Sequence, residues 1–443
     1  MKNRFVLFFL FFVNISIYSQ NLPFSNKIIN SNKVKIDSII IRGNETTKEF
    51  IILRELNFKP GDFVDSTMLH FNRERVFSLA LFNRVELFLE NSIDKIYLVI
   101  EVVESWYLYP LPFWYTKNNS METLTYGMNF LLRNFRGRNE TLKANFGVGY
   151  DKFFSLQYDN PALSYDNDIG FMAYASYNKF NNINETAKVL IGGNFTYKVI
   201  RALVGFRKQI NQFYLVGTNA FYDHWEINTQ PKGSITASGN NIDKLPSISF
   251  YQLYDTRDLK LFSQDGFYSF FSIAHKGFGN DNISYNSFEM DLRAYKAVYG
   301  ELISKLRFFH RRTFGKVVPL YDYSFLGYSE KIRGHNNNFS EGNNSILTSI
   351  ELSYPMLTEW NLSVKLPFIP LSLTSARIGI QVNVFADAGT AFNNGQPIVP
   401  SKFYSGYGIG IIVLLLPYNA FRLEYAINEL GKGEIVFATG FSF

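Results

Sequence analysis

"IGIQVNVFAD", residues 378–387, decides the fold. A strand turns successive side chains to opposite faces. Ile378, Ile380, Val382 and Val384 therefore share one face, and Gln381, Asn383, Phe385 and Asp387 the other. An apolar face backed by one that ends in a carboxylate suits a wall between hydrocarbon and a polar interior. The same split recurs along the chain. Leu142, Ala144, Phe146, Val148 and Tyr150 alternate with Lys143, Asn145, Gly147 and Gly149, and Phe288, Met290, Leu292 and Ala294 with Glu289, Asp291 and Arg293. Phe421, Leu423, Tyr425 and Ile427 oppose Arg422, Glu424 and Ala426. A soluble sandwich also alternates, but it has no need of charge behind each large apolar residue. The reading is a mainly β chain: a transmembrane antiparallel β-barrel over 107–443 behind a small α+β domain over 34–104.

Composition agrees. Of 443 residues, 45 are Phe and 28 are Tyr, an aromatic share of 17%, which calls for apolar surroundings. A net charge of +6 without a basic block argues against a nucleic-acid partner. The absence of Cys excludes disulfides, thiolate metal sites and a Cys nucleophile. The histidines at 70, 224, 275, 310 and 335 lack ligand spacing, and no Gly-x-Ser-x-Gly, His-Glu-x-x-His or phosphate-loop motif is present. No catalytic residue, metal or cofactor is expected. A barrel phospholipase is the best enzymatic alternative, but nothing selects its Ser–His pair.

Lys2 and Arg4 precede an apolar run from Phe5 to Val13 and a small residue, Ser19, so residues 1–19 read as a secretory signal peptide, with 20–33 a short linker. The run is too short for a membrane-spanning helix.

Residues 34–104 change period. "KIDSIIIRGN", 35–44, reads as a strand closing on a turn. Thr46 and Glu49 are spaced as a capping box for a first helix, and a second starts near Ser66 with Leu69, Val76, Leu79 and Ala80 on one face. Two alternating strands follow, to Glu104. This order, with "IRGNETTKEFIILREL" (41–56), "LALFNRVEL" (79–87) and "LVIEVVE" (98–104), resembles a POTRA (polypeptide-transport-associated) domain.

Four stretches of the barrel segment resemble the BamA and TamA superfamily of outer-membrane assembly factors, bacterial surface antigen barrels behind POTRA domains. They are "LRNFRGRNETLKANFGVGY" (132–150), "YDTRDLKLFSQDG" (254–266), "EKIRGHNN" (330–337) and "VFADAGTAF" (384–392). The family often has Pro at the position of Ser263 and an aromatic at that of His335. The resemblance implies sixteen strands. It also implies that the polar loop at about 325–345 folds into the barrel, pairing Arg333 with Asp387 of the Phe385-x-Asp387-x-Gly389 strand. Independently, an inward carboxylate needs a donor. A guanidinium supplies a two-pronged one, and Gly334 lets the loop tip approach the wall. An exposed Arg-Gly turn is the alternative.

The last strand places Phe437, Phe441 and Phe443 on one face and Gly440 on the other, resembling the signal by which barrels are recognised for insertion; an interfacial aromatic girdle is the plainer reading. Pro110 and Pro112, two apart, lack amides on one side of the first strand. They mark either the seam that relatives are thought to open laterally or a stiff linker.

The resemblance implies a factor that handles unfolded outer-membrane or secreted polypeptides, with membrane lipid and periplasmic accessory proteins as further partners. It implies the outer membrane of a Gram-negative bacterium, with the POTRA domain in the periplasm. A dedicated secretion pore for one partner and a passive outer-membrane pore are the alternatives. The barrel is expected to stand without the N-terminal domain.

Overall fold

The computed structural model describes residues 16–19 and 33–440, except 117–120, 165–166, 261, 280–281, 328–329, 336–339, 368, 371 and 418. Most of the expected signal peptide and linker, and Phe441 and Phe443, lie outside the described residues.

The N-terminal domain runs strand Ser38–Arg42, helix Glu49–Leu53, helix Ser66–Phe77, strand Phe82–Ser92 and strand Lys95–Glu104. Lys95–Glu104 is central, parallel to Ser38–Arg42 and antiparallel to Phe82–Ser92. One face of that sheet, with Leu98, Ile100 and Val102, packs on Ile51, Ile52, Leu69, Val76 and Phe77 of the helices.

Two local expectations fail here. The Thr46–Glu49 capping box does not form, since Lys48 takes the N-cap position without a side-chain bond. Glu104, at the end of the last strand, instead accepts the Thr47 amide at 2.7 Å and its hydroxyl at 2.6 Å. The second helix ends at Phe77, so Leu79 and Ala80 fall beyond it, Ala80 with φ 55°.

The large sheet has 17 strands. One of them, Ser16–Ser19, lies against Leu362–Lys365. The other sixteen run antiparallel from Leu108–Tyr115 to Gly433–Thr439. Alternation follows the pleat: Val382 and Val384 are exposed, whereas Gln381, Asn383, Phe385 and Asp387 are buried. No helix among the described residues is long and apolar enough to cross a membrane.

The connection between Leu302–Gly315 and Asn344–Lys365 enters the lumen. A small hairpin, Ser324–Leu326 with Ser340–Gly342, supports it. At the opposite end, the N-terminal domain packs on the barrel mouth, and one apolar cluster joins its core to Leu259, Phe262, Ile412, Leu414 and Leu416 of the barrel.

Candidate functional site

The lumen loop brings Arg333 to Asp387. Nε and Nη2 donate to the two carboxylate oxygens, each at 2.7 Å, and the Arg333 amide adds a third bond at 3.1 Å. The guanidinium lies 3.6 Å from the Phe385 ring centroid, so the aromatic of that strand serves as its floor. Gly334, at φ +93°, turns the chain at the wall. A Cβ on Gly406 would fall 1.8 Å from the Arg333 carbonyl oxygen, so the wall opposite the tip must also be bare. Gly389 packs beside Ile332 and Leu347.

Two partners of Arg333 were not expected. Nη1 also donates to Glu351 at 3.0 Å and to Glu424 at 3.1 Å. Glu351 is held in addition by Lys305 at 2.9 Å and Ser353 at 3.0 Å, and Glu424 by Arg422 at 3.4 Å. Three carboxylates thus face three cations, and the buried cluster is balanced. Alternation had placed Glu424 inward, but only the closing of the wall sets it opposite residue 333.

His335 packs at the loop tip: its ring meets Tyr404 edge-on at 5.0 Å, and Nε2 lies 2.7 Å from the Glu429 carboxylate. A second tie, Glu330 to Arg307 at 2.8 Å, holds the other side of the loop.

The other two motif stretches meet the N-terminal domain. Gly137 comes so close to Thr46 that a Cβ would lie 2.0 Å from its carbonyl oxygen, and its own carbonyl accepts from Lys48 at 2.8 Å. Ser78 Oγ accepts from the Lys260 amide at 2.9 Å. Ser263, where Pro is frequent, donates to the Leu259 carbonyl at 3.0 Å and so shapes the same turn.

The second helix drives two arginines and Glu74 into the junction. Arg75, fully buried, reaches the Gln212 carbonyl at 2.9 Å and Glu55 at 3.2 Å. Glu74 accepts from Arg377 at 3.1 and 3.0 Å and from Arg73 at 2.7 Å, while Arg73 also binds Glu359 at 2.8 Å. Burial opposes ionisation of Glu74, but Arg377 and Arg73 outweigh it and hold the carboxyl down at about 2. The barrel is thus tied to its N-terminal domain: Arg377 is buried and pairs with Glu74.

At the seam, Arg133 donates its amide to the Tyr107 carbonyl at 2.8 Å. Bonded pairs alternate along an antiparallel ladder, so the odd-numbered residues of the first strand point their amides at the second. Even-numbered Pro110 and Pro112 lack theirs on the edge that faces the last strand. Gly433–Thr439 is the neighbour of Leu108–Tyr115 in the sheet order. Phe437 is exposed on the outer wall, and Gly440, at φ +91°, turns the chain beyond that strand.

The profile of the Omp85 superfamily domain matches residues 134–443. The chain belongs to this superfamily. A POTRA profile, described as a surface antigen variable number repeat, matches 34–105. Among solved structures, BamA from Haemophilus ducreyi lacking POTRA domains 1–3 shares the fold at TM-score 0.54 and 15% identity, over 96% of this chain and 88% of that one. CdiB from Escherichia coli aligns at TM-score 0.55 and 11% identity, over 91% and 73%. CdiB from Acinetobacter baumannii aligns at 0.50 and 13%, over 92% and 73%. No curated protein matches the sequence. Like other Omp85 barrels with POTRA domains, the chain is an outer-membrane protein of the insertion or secretion kind.

Proposed function

We propose that this chain inserts or exports client polypeptides at the outer membrane of a Gram-negative bacterium, taking them up at its POTRA domain and passing them through the barrel seam. The observation that carries this is the seam. The first and last barrel strands meet there, and two prolines strip amides from the edge that the first presents to the last. Unlike a closed ladder, such an edge can accept a client strand by backbone pairing. The Ser38–Arg42 strand, paired on one side within its sheet, offers extended clients a first edge in the periplasm.

A lumen occupied by the Arg333 loop and a mouth packed against the POTRA domain weigh against the passive pore. The dedicated secretion pore has the same fold and differs in its client. Nothing in the proposal requires a bond to be made or broken in the client.

The test uses the full chain in liposomes with a urea-unfolded outer-membrane barrel as client. Cysteines scanned along 108–115 and 433–439 should form a disulfide that stops client insertion and is relieved by reductant. Insertion at the wild-type rate with the seam cross-linked sinks the proposal.

A further inference from the structure

We propose that the outer wall of the barrel, near its extracellular end, binds a phosphate-bearing glycolipid of the outer leaflet, its phosphates on a row of lysines and its acyl chains over an alanine-floored trough below. The inference rests on the barrel spanning the outer membrane with its POTRA domain in the periplasm, and not on how clients are handled.

Lys152 stands opposite Lys179, Lys179 opposite Lys198, and Lys198 opposite Glu226, on four consecutive strands. Two residues toward the membrane midplane, Phe154, Tyr177 and Ile200 are likewise opposite one another and exposed, so alternation turns the lysines outward as well. Lys198 binds Glu226 at 2.9 Å. Lys152 and Lys179 have no ion-pair partner among the described residues and are exposed. On the next strand Lys244 faces outward opposite His224.

Like charges directly opposite on neighbouring strands destabilise a sheet, and nothing in the folding of this wall requires three of them in register. Arg312 also faces outward at this end, on Leu302–Gly315, but its opposite residues are Phe288 and Asn344 and no second cation stands beside it. At the same end of the last strands the outward positions are Tyr407, Ile427 and Ile435. The row spans roughly 10 Å at the usual strand spacing, wide enough for more than one phosphate.

Four residues further along the same strands, roughly 13 Å of strand rise and about 10 Å nearer the midplane at the usual barrel tilt, the wall sinks. Leu156, Ala175, Ala202 and Tyr222 form one register row, and Tyr158, Ala173, Val204 and Ala220 the next. The alanines floor an apolar depression of about 1070 Å³. Half of a hydrocarbon core of about 30 Å is about 15 Å, so the lysines sit at headgroup height and the trough where acyl chains end.

The full-length protein, stripped in zwitterionic detergent, is titrated with diphosphorylated lipid A, with its monophosphorylated form, or with inorganic phosphate at equal phosphate concentration. The readouts are lipid retained through gel filtration and the temperature at which heat-modifiable mobility is lost. Wild type should retain diphosphorylated lipid best and gain heat resistance from it. The triple variant Lys152→Gln/Lys179→Gln/Lys198→Gln should lose roughly a hundred-fold in retention. Lys179→Glu separates a lost site from a damaged barrel: it places a carboxylate between two lysines, so without lipid the barrel should resist heat at least as well as wild type while retention falls. Unchanged retention in either variant overturns the proposal. Equal protection by inorganic phosphate also overturns it, since the acyl chains would then contribute nothing. Client insertion assayed on the same preparations reports separately on the proposed function.

Discussion

Arg333→Ala should do more harm than the loss of any one of its acidic partners. Removing the guanidinium leaves Glu351 with Lys305 and Ser353, and Glu424 with Arg422. Among the described residues Asp387 keeps only the loop amide at 3.1 Å, which is itself part of what the side chain holds in place. Breaking a buried pair from one side costs about 3–5 kcal/mol, or roughly two to three and a half powers of ten in the equilibrium between docked and released loop. Asp387→Ala leaves the guanidinium two carboxylates, so its loss should be nearer the 1.5–3 kcal/mol, roughly, of a hydrogen bond to a charged group. The double variant removes the orphaned carboxylate and should be no worse than Arg333→Ala alone. Arg333→Lys should rescue in part, since an ammonium cannot fork to Asp387 and still reach Glu351 and Glu424. The assay is protease added outside intact cells, reading the cleavage rate between residues 325 and 345, with client insertion measured in parallel. Equal cleavage in wild type and Arg333→Ala, or strictly additive losses in the double variant, would refute the reasoning.

Gly406→Ala should reproduce the Arg333→Ala phenotype with every charge intact, because the new methyl group occupies the place of the Arg333 carbonyl; a wild-type cleavage rate would show that the tip has room. Glu74→Gln should loosen the POTRA domain by about 3–5 kcal/mol, read as faster cleavage at residues 105–107. Because the folded carboxyl is depressed from 4.5 to about 2, its contribution is complete above pH 4.5 and fades as pH falls toward 2. Docking lost already near neutral pH would contradict this. Deleting 34–104 should lower the temperature of heat-modifiable unfolding, since it strands Arg377 and uncovers Leu259, Phe262, Leu414 and Leu416; an unchanged temperature would mean that the junction adds no stability. Pro110→Val/Pro112→Val restores two amides at the seam and should slow client insertion, and an unaffected rate would return the prolines to a linker role.

Sequence by itself determined the wall and its inner face. The alternation in 378–387 is local, with period two, so one pass along the chain separates Val382 and Val384 from Asn383 and Asp387. Tertiary structure decided what meets what. Glu351 and Glu424 lie 18 and 91 residues from Arg333 and reach it only because the sheet curls on itself. The Thr46–Glu49 pair had the right spacing for a cap and lost to Glu104, which the parallel pairing of Ser38–Arg42 with Lys95–Glu104 delivers to the Thr46 and Thr47 amides. Motif stretches at 132–150 and 254–266 showed kinship, but their contact with the POTRA domain follows from where the barrel turns end in space. The lysines at 152, 179 and 198 look scattered along the chain and form a row only through strand register, which one residue of slip would send into the lumen.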